Sequence, residues 1–123
     1  MTIEEYIIDY LATALAETVG STTIPFPVSG DVPSPVPDSF ITVEQTGADA
    51  ENKIRFATIA VQSWHTTRAN AAALNARVEA AMDRITEKPE ISACTLNNSY
   101  NYTDMARKKP RYQAVFQVVY YLN

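Results

Sequence analysis

The sequence predicts an α+β domain, in which a mainly antiparallel β-sheet packs with two principal helices. Three observations carry that prediction. Apolar residues recur at helical spacing over residues 2–20 and again over residues 66–88. Each stretch is followed by runs rich in β-branched and aromatic residues, several of which alternate in polarity. The connections between those runs have hairpin length, so neighbouring strands should lie antiparallel. The order is helix, strands, helix, strand hairpin, in a single domain over residues 1–123.

The first helix is read from "TIEEYIIDYLATALAETVG". Thr2 and Glu5 have capping-box spacing, where hydroxyl and carboxylate each satisfy a backbone N–H left free by the first turn. Ile7, Leu11 and Leu15, with Ile3, Tyr10 and Ala14, form the apolar stripe, and Gly20 is the expected stop. "TTIPFPV" is short and extended, because Pro25 and Pro27 cannot donate to a ladder and belong at an edge. Residues 28–38 follow, where Pro33, Pro35 and Pro37 favour a stiff polyproline path. At ~3.1 Å per residue such an arm spans roughly 30 Å.

"FITVEQT" is a strand, "GADAEN" a turn, and "KIRFATIAVQSW" the returning strand of a hairpin. Ile54, Phe56, Ala60 and Trp64 point to one side of that second strand, and Ile59 and Val61 point to the other. Bulky apolar groups on both sides predict that both are covered. The second helix begins at Thr66 or Thr67, either of which suits an N-cap. Ala71, Leu74, Val78, Ala81 and Ile85 step by three and four to give one apolar seam. Asn75, Glu79, Asp83 and Glu87 fall on a polar line, and Pro89 ends the helix. "ISACTLNNSYNYTD" and "PRYQAVFQVVYYLN" are then a second strand pair joined by "MARKK".

Composition bounds the function. A 123-residue chain that is 46% hydrophobic suits one packed domain, which buries roughly two-thirds of its unfolded surface. A net charge of −4 argues against a dedicated nucleic-acid binder. No apolar run approaches the ~20 residues of a membrane span. "MTIEEYIIDY" is acidic and amphipathic, without a signal peptide's basic flank and cleavage site. One cysteine, Cys94, excludes an internal disulfide and fits a reducing compartment, so a small soluble intracellular domain is expected. On that expectation the sequons at Asn97 and Asn101 carry no glycan.

Catalytic chemistry finds little purchase. Ser63-Trp64-His65 holds the only tryptophan and the only histidine, but a Ser-x-His sequence is no dyad without geometry and an orienting acid. The plain reading makes Trp64 a core anchor and His65 the start of a turn. One His and one Cys far apart do not form a metal site, and three scattered glycines cannot cradle a phosphate. Cys94 reads as a small buried hydrophobe mid-strand. Glu4 and Glu5 suit the positive end of a helix. The expectation is a protein that is not an enzyme and needs no cofactor or metal.

Two features point to contacts with other proteins. "ARKKPR" gathers Arg107, Lys108, Lys109 and Arg111 on one hairpin of an acidic chain. It is either a solvated turn whose lysines block edge pairing or a docking tip. On the last strand, Tyr112, Ala114, Phe116, Val118, Tyr120 and Leu122 form the core row. The opposite row, Arg111, Gln113, Val115, Gln117, Val119 and Tyr121, is amphipathic and poor in charge, as subunit interfaces are.

Residues 40–85 and 92–122, in this order and spacing, resemble the tail terminator (tail completion) proteins of long-tailed bacteriophages and prophages. The phrases that carry the resemblance are a strand ending Val61-Gln62-Ser63-Trp64, an alanine-rich helix with Arg68 directly after it, and Arg111-Tyr112-Gln113 opening the final strand. The resemblance implies a virion structural protein, assembled in the bacterial cytoplasm. It implies a homohexameric ring that caps the tail tube protein, ends its polymerisation and meets the head-tail connector. DNA would pass through without specific binding, and no membrane is involved. Pro33 and Pro35 would then belong to an arm reaching a neighbouring subunit or ring. Another neck or head-closure component is the alternative in the same class. From a different class comes a dimeric small-molecule-binding module with Tyr100, Tyr102 and Tyr120 lining a pocket.

Overall fold

The computed structural model of the chain describes residues 1–51 and 54–122. Thr2 opens helix α1 (Ile3–Ala14) with the expected reciprocal cap: its Oγ1 accepts the Glu5 N–H at 3.1 Å, and Glu5 Oε2 accepts the Thr2 N–H at 3.4 Å. Ile3, Ile7, Leu11 and Leu15 are buried along one side. The helix stops sooner than its apolar spacing predicts, with Leu15 as C-cap. Beyond it, β1 (Glu17–Val19) and β2 (Thr22–Ile24) form a small antiparallel hairpin with Val19 opposite Thr22. Gly20, at φ +64°, takes the first of its two loop positions, which is the place where such a turn demands a positive φ. The β-branched Thr18, Val19, Thr22, Thr23 and Ile24 favour pairing over another helical turn. Gly20 is therefore a hairpin residue and not the helix stop.

Phe26 is buried and donates its N–H to Ala12 O at 3.0 Å, bringing the chain back to the helix. β3 (Val28–Ser29) then lies parallel to the start of β4 (Phe40–Glu51), Val28 opposite Ile41. The proline-rich segment is consequently a loop with adjacent ends and not a free arm. Asp38 O is held by Lys109 Nζ at 3.1 Å, and Val32, Pro33 and Pro37 are half-buried while Pro35 is exposed. A doubled-back path of this length reaches about 15 Å, half of what an extended arm would span.

β5 (Ile54–Trp64) returns beside β4, with Phe40 opposite Trp64 and Glu51 opposite Ile54. The strand thus continues through residues 47–51, where the sequence suggests a turn, and Asn52 and Lys53 lie outside the described residues. A register shift between Gln45 and Gly47 absorbs one extra residue. A lone glycine inside a strand pattern commonly marks such a bulge. β7 (Arg111–Tyr120) pairs with β5, and β6 (Ile91–Asn101) pairs with β7. The sheet order is β3-β4-β5-β7-β6, antiparallel except at β3.

Helix α2 (Arg68–Asp83) is capped by Thr67, whose Oγ1 accepts the Asn70 N–H at 3.1 Å. A short 3₁₀ turn, Ile85–Glu87, carries the seam to Ile85 before Pro89 is reached. All five seam residues are buried. Asn75 departs from its expected polar line: it is buried and donates to Ser99 Oγ at 2.8 Å. Both helices lie on one face of the sheet, α1 over β3 and β4 and α2 over β5, β7 and β6. The core between them gathers Ile7, Leu11, Ile41, Val43, Ile59, Val61, Val78, Met82, Phe116 and Val118.

Removing Leu11 atoms from this sealed layer leaves a cavity, whereas Val19 on the outer hairpin is largely solvated. Urea unfolding of Leu11→Ala should show a loss of about 2–5 kcal/mol. Val19→Ala should stay within about 0.5 kcal/mol of the parent.

Candidate interaction face

The sheet's second face carries no helix among the described residues, and its two ends differ. At one end, successive strands place Phe40, Trp64, Arg111 and Tyr102 in a row. The Phe40 and Trp64 rings stack at 5.2 Å and 12°. The Arg111 guanidinium sits 4.7 Å from the Trp64 ring centre and 4.2 Å from that of Tyr102, and its Nε donates to Tyr102 O at 2.6 Å. Tyr102 meets Tyr100 edge-on at 5.8 Å. Arg111 suits this place because its planar cation stacks on aromatic faces while its edge still donates. Trp64 is buried as expected, but on the face away from the helices and outside the main core.

A chain of side-chain hydrogen bonds crosses the same end. Trp64 Nε1 donates to Thr42 Oγ1 at 3.0 Å, and Thr42 Oγ1 donates to Gln62 Oε1 at 2.7 Å. Gln62 Nε2 donates to Gln113 Oε1 at 2.6 Å, and Gln113 Nε2 reaches the Tyr100 hydroxyl. Two rows further on, past Ala60 and Val115, Thr58 Oγ1 donates to Gln117 Oε1 at 3.1 Å. Each buried polar atom on this path finds its partner in the neighbouring strand, which removes the cost of leaving it unpaired.

The other end is apolar and open. Val119 and Phe56 are only half-buried, Ile54 is 49% exposed and Tyr121 is 61% exposed, with exposed Asp49 beside Phe56 on β4, while half-buried Val115 lies further back between the two glutamine rows. Arg111, Gln113, Gln117 and Val119 thus share one face, with Tyr121 just past the strand end. Gln113 and Gln117 are engaged in internal bonds, whereas Val119 and Tyr121 are available.

The basic hairpin is less free than its charge suggests. Arg107 Nη1 pairs with Asp104 Oδ2 at 2.8 Å, and Asp104 Oδ1 accepts the N–H groups of Ala106 and Arg107. The Arg107 N–H and guanidinium hold the Asp104 carboxyl below the usual carboxylate range. Lys109 reaches Asp38 O and lies 6.0 Å from the Phe40 ring centre. With Arg111 stacked, the exposed cations of the turn are Arg107, paired to Asp104, and Lys108, at φ +52°. Pro33 and Pro35 stand on the separate loop of residues 30–39 and do not join the face.

Ser63 Oγ is buried and unpaired among the described residues, and His65 Nδ1 accepts the adjacent Thr66 N–H at 2.8 Å. The pair makes no hydrogen bond to each other. Tyr120 is buried in the core between sheet and helices, across the sheet from Tyr100 and Tyr102, so these three cannot line one pocket. A groove of about 640 Å³ does exist between α1 and residues 84–88. It was not legible from motifs, though Tyr6 and Tyr10 at helical spacing mark it. Their hydroxyls are committed, Tyr6 to Glu90 Oε2 at 2.9 Å and Tyr10 to Ala81 O at 2.6 Å. Burial, with the Glu90 carboxylate beside it, pushes the Tyr6 hydroxyl up to about 12. Among the described residues no cluster of three metal-ligating side chains occurs, and no helix is long and apolar enough to cross a membrane. Comparison of the chain with known protein families and with curated proteins finds no match.

Two outcomes test this geometry. Arg111→Ala should lower stability by ~1–3 kcal/mol, since it removes a stacked cation and a charged hydrogen bond. It should also red-shift the fluorescence of Trp64, the only tryptophan. Burial pushes the Cys94 thiol up to about 11. Folded protein at pH 8 should therefore react with iodoacetamide far more slowly than urea-unfolded protein, as followed by mass spectrometry.

Proposed function

We propose that this chain is a structural subunit of a phage or prophage tail, a ring-forming terminator that caps the tube and joins it to the head connector. The observation that carries the reading is the helix-free sheet face with its open apolar end. Val119 and Phe56, flanked by exposed Ile54 and Tyr121, form an apolar patch bordered by Asp49 on β4 and by the Thr58–Gln117 row. Such patches mark surfaces that are covered in an assembly. The resemblance of residues 40–85 and 92–122 to tail terminator proteins supplies the kind of assembly. The committed tyrosine hydroxyls and the internally paired glutamines give no support to a small-molecule site.

The acidic net charge of −4 fits a channel through which DNA moves without adhering, because like charges repel within about a Debye length, ~8 Å in physiological salt. Deleting the coding sequence from its parent phage should give overlong, headless tails. Tails of normal length with leaking heads would assign the chain to head closure instead. In the purified protein, a ring should be visible by negative stain and native mass spectrometry, alone or on added tail tubes. Val119→Lys should abolish it while leaving the unfolding midpoint little changed, because the side chain is already partly solvated. A ring that tolerates this lysine would remove the apolar patch from the contact.

A further inference from the structure

Edges decide how a sheet can grow, since an unpaired strand presents a row of free N–H and C=O groups. β6 forms one margin of this sheet over eleven residues, ISACTLNNSYN, with neither a charge nor a proline to deter pairing. Its register shifts, between Ile91 and Ala93 and between Leu96 and Asn98, leave residues 93–96 as a regular stretch. The opposite margin is β4. There β3 pairs with Ile41 and Thr42, and Glu4 Oε2 accepts the Gln45 N–H at 3.0 Å. Residues 47–51 then run on with no strand beside them among the described residues.

These two free stretches stand at the same height. Asp49 lies in one cross-strand row with Phe56, Val119 and Ala93, and Gly47 lies in another with Thr58, Gln117 and Thr95. A copy moved sideways therefore brings them together without a shift along the strands. Three antiparallel pairings separate β4 from β6, so the two run in opposite directions. The alternation of an antiparallel ladder can be followed from Gln45, whose N–H faces outward to Glu4, and from Tyr102, whose N–H bonds inward to Arg111 O. It turns the N–H groups of Ala48 and Ala50 outward on β4, and those of Cys94 and Leu96 outward on β6. Charge selects the pairing. Two β4 edges would oppose Asp49 to the same acidic strand, whereas β6 offers it no charge.

We propose that β6 of one copy pairs antiparallel with residues 47–51 of β4 in the next copy, so that the sheet runs from subunit to subunit. The inference rests on the ring reading, because a contact between two different edges passes from copy to copy until it closes. A symmetric β6-to-β6 contact would stop at two.

Leu96→Pro and Ala48→Pro each remove one outward donor, a change that edge strands tolerate. By native mass spectrometry each variant alone should be monomeric. Mixed in equal amounts they should form a one-to-one dimer and nothing larger, since each retains the edge the other lacks. Assembly unchanged by either proline would overturn the edge contact while leaving a ring-forming protein. An Ala48→Pro chain that still dimerises alone would overturn it in favour of β6-to-β6 pairing. A wild-type chain that assembles neither alone nor on tail tubes would sink the tail reading together with the inference. Should a proline unfold the chain, amide exchange of the wild type decides. The amides of Ala48, Ala50, Cys94 and Leu96 should be protected in the assembled protein and lose protection on dilution. Equal exchange in both states would overturn the proposal.

Discussion

One-sided cover is the constraint on which the rest of the molecule depends. Two helices of twelve and sixteen residues lie side by side on a five-stranded sheet, and both fall on the same face. That face is sealed by Leu11, Ile59, Val78 and Phe116, and these apolar layers supply most of the folding free energy. The opposite face must then be stabilised without a second layer of backbone. The chain meets that demand in two ways, and the division between them sets where other molecules can act.

At the end beside the 102–110 turn, the face is closed by its own side chains. Phe40, Trp64, Arg111 and Tyr102 stack across four strands, and Thr42, Gln62 and Gln113 carry hydrogen bonds over the next rows. The basic turn is drawn into the same arrangement through Lys109 and Arg111 and is steadied by Asp104 with Arg107. Charge that looked available for docking is used to hold the fold. At the other end Val119, Phe56, Ile54 and Tyr121 have no such lid. An acidic chain with one polar, self-satisfied end and one apolar, unfinished end fits the assembly proposed above.

Much of this was legible where a short-range rule decides the outcome. Thr2 with Glu5 announced the first cap, the step of Ala71, Leu74, Val78, Ala81 and Ile85 gave the buried seam, and alternation along residues 111–122 sorted core row from outer row. Other features lay beyond such rules. Periodicity says which residues share a side but not which side a helix will cover, so two apolar faces on residues 54–64 read as two covered faces. Gly20 reads locally as a helix stop, and only the pairing of Glu17 with Ile24 makes it a hairpin residue instead. The bulge at Gly47 and the closed proline loop depend on contacts with Thr58 and Ile41. Of the outer row, Val119 and Tyr121 are open, while Gln113 and Gln117 are spent on Gln62 and Thr58. No single-strand pattern carries that distinction.

The central claim is that the open apolar end is covered when the protein works. Hydroxyl-radical footprinting reads this directly, comparing dilute protein with protein assembled alone or on tail tubes. Tyr121 should lose most of its oxidation on assembly, while Met105, 80% exposed on the far turn, keeps its own and serves as the internal reference. Equal oxidation of Tyr121 in both states would contradict the account.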